Sequence, residues 1–113
     1  MTVQQLIDSK QYEILSKGDN TETKIADIFC CDLLSIAMSK APAGCAWVTV
    51  MANINTLAVA SLTETAVIIM AEGVKLDEET RKKAELQGIT VLASNQSIYH
   101  TAKQVDDWLH TTK

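Results

Sequence analysis

The run Ala66-Val67-Ile68-Ile69-Met70 limits what this chain can fold into more than any other feature. Five consecutive apolar residues of strand length leave no position to face water, so the segment reads as a strand covered on both faces, in the middle of a sheet. The flanking patterns decide how that sheet is connected. Upstream, Ile54, Leu57, Ala58 and Leu62 keep i, i+3, i+4, i+8 spacing behind Asn53 or Asn55 as the helix cap. Downstream, Asp77 to Gln87 opens with acids, continues through Arg81, Lys82 and Lys83, and stops at Gly88. Glu78 with Lys82 and Glu79 with Lys83 are i, i+4 pairs in the favourable order. A buried strand between two helices implies right-handed crossovers and parallel neighbours.

The remaining segments extend the same alternation. Thr2-Val3-Gln4-Gln5 fits a capping box, with Val3, Leu6 and Ile7 at helical spacing behind it. Tyr12 to Ser16 reads as a short strand, and Lys17-Gly18-Asp19-Asn20-Thr21 is the most turn-like cluster, so a hairpin or an arch is expected. Lys24 to Cys30 reads as the next strand. Asp32 is placed to cap a helix running through Ser39, with Leu33, Leu34, Ala37 and Met38 as its buried stripe. Pro42 ends that helix, and Ala46 to Met51 forms a strand. Ile89 to Ala93 gives the last strand, and Ile98, Ala102, Val105 and Leu109 stripe the last helix. The expected fold class is therefore α/β, a mainly parallel central sheet of about five strands with helices on both faces. The edge strand is the first one. Residues 1–113 fit one domain, with no repeat or linker.

Several function classes are excluded by what the chain lacks. Fourteen acidic against ten basic residues, without a basic run, give a phosphate backbone nothing to bind, so no nucleic-acid partner is expected. No apolar stretch is long enough to span a membrane and no signal-peptide pattern opens the chain, which places it in the cytoplasm. Neither GxxxxGK[ST] nor GxGxxG is present. Cys30, Cys31 and Cys45 are odd in number and two are adjacent, as reduced thiols are. A metal or iron–sulfur site would have to draw on those three, and neighbouring cysteines on a strand point to opposite faces. His100 and His110 lack partners at metal-ligand spacing, and Cys30 with His100 has no local signature of a nucleophile and its base. No catalytic residues and no cofactor are assigned.

What remains is the polar rim at the strand ends. In an open α/β sheet, ligands gather beyond the carboxyl ends of the parallel strands, where helix N-termini expose amides. There the chain carries Asn53, Asn55, Gly73, Ser94 and Asn95, uncharged groups suited to a small polar or anionic ligand. Helix capping is itself a sufficient reason for Asn and Ser at such places.

Trp47-Val48-Thr49-Val50-Met51-Ala52-Asn53-Ile54-Asn55 followed by Ala66-Val67-Ile68-Ile69-Met70-Ala71-Glu72-Gly73 resembles the DRTGG-domain family. Cys31-Asp32-Leu33-Leu34-Ser35 and Gly88-Ile89-Thr90-Val91-Leu92 extend the resemblance over nearly the whole chain, from Val3 to Leu109. Where the family has Asp-Arg, this chain has Ala52-Asn53. Where it has Thr-Gly-Gly, it has Ala71-Glu72-Gly73, so only Gly73 is kept. The resemblance implies a fold similar to the N-terminal domain of HPr kinase and a non-catalytic regulatory or scaffolding role, homodimeric. For stand-alone members it also implies hydrogenase-related or other regulatory proteins as partners. The alternative it brings is an iron–sulfur or metal carrier for a hydrogenase system, using Cys30, Cys31 and Cys45.

Overall fold

A computed structural model describes residues 1–111. The elements run α1 (Val3–Asp8), β1 (Glu13–Ser16), β2 (Asp27–Cys30), α2 (Leu34–Lys40), β3 (Cys45–Thr49), α3 (Ile54–Leu62), β4 (Val67–Met70), α4 (Glu78–Leu86), β5 (Val91–Ala93) and α5 (Ile98–Thr111). The strands form one sheet in the order β1-β5-β4-β3-β2. β2 to β5 are mutually parallel, and β1 is antiparallel to β5 at one edge. The all-apolar run supplies β4 at the centre, as a strand apolar on both faces must be.

Side chains alternate strictly across the sheet and divide the interior in two. Ala46, Val48, Val67, Ile69 and Leu92 face Val3 and Leu6 of α1 and Val105 of α5. Cys45, Trp47, Ile68, Met70 and Val91 face Ala37 of α2, Leu57 and Ala60 of α3, and Ala84 of α4. All three crossover helices therefore lie on one face, as right-handed connections between successive parallel neighbours require. Among the described residues, α1 and α5 cover the other. Tyr12 fastens α5 near the β1 edge, donating to Gln104 Oε1 at 2.7 Å and meeting Trp108 edge-on. Burial pushes its phenol up to about 12.

Five expectations need correction. No hairpin joins β1 to β2, which occupy opposite edges. The turn-like cluster instead laces the sheet from beneath. Gly18 N–H donates to Thr90 Oγ1 at 3.0 Å, and Asp19 N–H to the Gly88 carbonyl at 3.3 Å. The Asn20 side chain donates to the Ala66 carbonyl at 2.9 Å and accepts from the Thr90 hydroxyl at 2.9 Å. Asp32 does not cap α2, whose N-cap is Leu33 with no side-chain bond.

The other three corrections concern helix surfaces. Of the stripe assigned to α2 only Ala37 is buried, while Leu33 and Met38 are about half exposed. In α3, Ile54, Ala58 and Leu62 project outward, and Thr56, Leu57 and Ala60 meet the sheet. Small residues make these contacts because Trp47, Ile68 and Met70 already fill the space above the strands. The ion pairs of α4 run through Arg81, to Glu78 and Glu85, and not through Lys82 and Lys83. Among the described residues no helix is long and apolar enough to cross a membrane.

Candidate functional site at the strand ends

Register places the rim. Thr49 lies opposite Met70 and Met70 opposite Ala93, so the carboxyl ends of β3, β4 and β5 stand level, with neighbouring strands ~4.8 Å apart. The loops that leave these ends, together with the first turn of α3, carry every residue the sequence singled out for ligand contact. After β4 the chain turns toward α4, and after β5 toward α5 on the opposite face. In open α/β sheets, ligands gather where adjacent loops leave for opposite faces in this way.

Backbone hydrogen bonds join the two loops to each other at the rim. Glu72 N–H donates to the Gln96 carbonyl and Gly73 N–H to the Ser94 carbonyl, both at 2.8 Å. Glu72 and Gly73 have φ of 60° and 73°, so the chain passes through left-handed backbone at consecutive residues. A side chain at Gly73 would be strained there, and its Cβ would lie 3.2 Å from Asn95 Oδ1. Gly73, Ser94 and Asn95 are thus brought together. Ser94 points inward, accepting from the buried Thr101 hydroxyl at 2.9 Å and from Gln96 N–H at 3.0 Å. Ser97 receives His100 N–H at 3.1 Å and caps the first turn of α5. Among the described residues, the Asn95 amide has no hydrogen-bond partner and is exposed.

Asn53 and Asn55 form a second group one strand away. Asn53 Oδ1 accepts from Asn55 N–H at 2.9 Å and Thr56 N–H at 3.2 Å, so it is the cap of α3. The Asn55 side chain is exposed on the first turn. Beside them lies a tie that the sequence did not reveal. Asp32 accepts from the buried Thr49 hydroxyl at 2.6 Å and from Val50 N–H at 3.0 Å, binding the end of β2 to the end of β3. Its only sequence signal was an acid placed just after a strand, which also describes a helix cap.

The cysteines do not assemble. Cys30 shares strand parity with Ile28, which packs on the α1 and α5 side, whereas Cys45 packs on the other side. Cys45 stands opposite Asp27, three residues and so ~10 Å along the strand from the level of Cys30. Among the described residues no three His, Cys, Asp or Glu side chains converge as a metal site would require. Such a donor set does not fit an iron–sulfur cluster. Burial and then the Asp32 carboxylate push the Cys30 thiol above its ordinary value, and burial does the same to Cys45. With Cys31→Ser in place, Cys30 is expected to react with iodoacetamide more slowly than free cysteine at about pH 8, because a raised pKa leaves less thiolate. Its rate should still climb where that of free cysteine has levelled off. A faster rate at the lower pH contradicts this.

A separate concavity of about 440 Å³ lies between β2 and α5, lined by Asp27, Ile28, Tyr99, Lys103, Asp106 and Asp107 among others. It contains none of the rim residues. Lys103 there is already engaged with Asp107 at 3.1 Å.

No family model matches the chain, and no curated protein does. Among solved structures, the fold is similar to that of the CBS and DRTGG domains of the regulatory region of Clostridium perfringens pyrophosphatase, complexed with the activator diadenosine tetraphosphate. The TM-score is 0.72 at 12% identity, over 91% of this chain and 44% of that one. At that identity the likeness is one of fold, and this chain spans less than half of that one's length.

Proposed function

We propose that this chain is a non-catalytic regulatory domain that takes a small polar or anionic ligand at the ends of β4 and β5 and works as a homodimer. The observation that carries the ligand reading is the parting of the two loops after β4 and β5. It sets the exposed Asn95 amide, the glycine backbone at Gly73 and the N-terminus of α5 along one stretch of the rim. Asn53 and Asn55 extend the rim by one strand. The fold likeness to the regulatory region of a pyrophosphatase supports a regulatory role over a catalytic one. The scattered thiols support the absence of a cysteine-based carrier function.

Titrating the ¹⁵N-labelled chain with AMP, ATP, diadenosine tetraphosphate and inorganic phosphate tests the ligand site. Amide shifts are expected at Glu72, Gly73 and Ser94 to Ile98. Asn95→Ala should weaken binding by about tenfold, the loss of one good polar contact, and Gly73→Ala, which strains the left-handed backbone and crowds Asn95, should weaken it by about as much. Shifts confined to Asp27, Ile28 and Lys103 would move the site to the concavity beside α5. No shift with any of the four would remove the reading for nucleotides and phosphate alike.

A further inference from the structure

We infer that the outward face of α3 is the surface through which two copies of this chain pair, with the molecular two-fold axis passing at Ala58; this rests on the homodimer proposed above. Ile54, Ala58 and Leu62 form a single i, i+4, i+8 ridge that points away from the sheet. Ile54 is 38% exposed, Leu62 is 69% exposed, and Ala58 between them is also exposed. The ridge is symmetric in size about its centre. An antiparallel copy turned about an axis at Ala58 sets Ile54 against Leu62 of its mate, and Leu62 against Ile54, each one turn of helix from the axis. Alanine facing alanine at the crossing lets the two backbones approach closely. A partner of unrelated sequence would not need this symmetry, whereas an isologous pair does.

Charge points the same way. α2 and α3 lie side by side on one face of the sheet and carry a single charged residue between them, Lys40 at the end of α2. α4 on the same face has six charged residues out of nine, as a helix left in water commonly does. In a two-fold pair every side chain near the axis meets its own kind, so a charge there would meet a like charge. The uncharged face is the one that tolerates its own image. Leu33, Ile36 and Met38 of the neighbouring α2 region are also exposed, and with Ile54 and Leu62 they leave on the order of 500 Å² of large apolar side chain in water on this side of the sheet. Asn55, Ala58 and Ser61 bring the face toward the ~800 Å² that each partner buries in a standard interface.

Light scattering coupled to size-exclusion chromatography, at roughly 100 µM so that mass action favours association, tests the surface. The wild-type chain is expected at twice its 12.3 kDa mass. Ala58→Arg, which sets like charges against each other at the axis, and Leu62→Glu, which buries a charge against the mate's Ile54, should each raise the dimer dissociation constant at least about 100-fold and yield monomers. Both positions are exposed, so the circular dichroism spectrum should be unchanged, and Leu62→Glu serves alone if Ala58→Arg perturbs folding. Leu86→Glu, at the exposed apolar residue of the charged helix α4, should leave the dimer intact. A wild-type chain that stays monomeric removes the homodimer itself. A dimer that survives both α3 variants, or that Leu86→Glu dissolves, leaves the homodimer standing and overturns its placement on α3.

Discussion

Replacing Trp47 with alanine is expected to lower the stability of this protein by about 3–5 kcal/mol, the range for deleting a buried tryptophan side chain from a packed interior. Trp47 is fully buried in β3, among Ala37, Leu57, Ile68 and Met70. Its neighbours are helices held by small residues, which cannot swing inward to fill the void, so most of the cavity should persist. The indole N–H also donates to the Cys31 carbonyl at 3.0 Å, anchoring the loop that leads from β2 toward Asp32. Trp47→Phe keeps most of the volume and removes only that donor, so its cost should be about 1–2 kcal/mol. Urea denaturation of the two variants separates packing from hydrogen bonding. A loss below about 1.5 kcal/mol for the alanine variant would mean that the helices over this face close up more freely than their contacts imply.

Gly18→Ala is expected to be the other severe change, at about 3 kcal/mol or more, above the usual cost of overpacking. A Cβ at Gly18 would run into the carbonyl carbon and oxygen of Gly88 and the amide nitrogen of Thr90. These are backbone atoms, fixed by the start of β5, and no rotamer change relieves the collision. Gly88→Ala differs in kind. There the new Cβ meets the Asp19 carboxylate, which can rotate away, and the remaining cost is that of a left-handed backbone at φ 71°, about 1–2 kcal/mol. Adding Asp19→Ala should recover part of the Gly88→Ala loss and none of the Gly18→Ala loss. Equal costs for both glycine variants, measured by thermal melting, would show that the lacing under β4 and β5 is looser than described.

The sequence announced the sheet well because its signal is one-dimensional. A strand apolar on both faces has no other place than the middle, and β4 is there. Caps made by neighbours in the chain were largely legible: Thr2 with Gln5 was expected, Asn53 with Thr56 is one of the two caps offered for its helix, and Asp77, read as an opening acid, caps through Thr80. What failed was anything decided by a distant partner. Lys17 to Thr21 has the composition of a hairpin turn, and only Thr90 and Gly88, some seventy residues later, make it a crossing segment. Asp32 was read as a cap because Thr49, its actual partner, belongs to the next strand. The faces of α2 and α3 were misread because large apolar residues were taken to be the buried ones. The wide side chains of β3 and β4 leave room above the sheet for alanine, and Ile36, Met38 and Leu62 are turned outward. That Gly73 and Asn95 share the rim was expected from the parallel topology; how closely they approach was not readable from either loop alone.

One-directional winding also has a consequence for synthesis on the ribosome. The face of the sheet opposite the crossover helices is covered by the first helix of the chain and by the final one, Ile98–Thr111. A nascent chain that has emerged as far as β5 has every strand it needs, yet Val48, Val67 and Ile69 still lie bare wherever Val105 and its neighbours will later sit. Truncations that remove those last turns therefore leave an apolar sheet surface open to chaperones and to aggregation, even though they delete no strand.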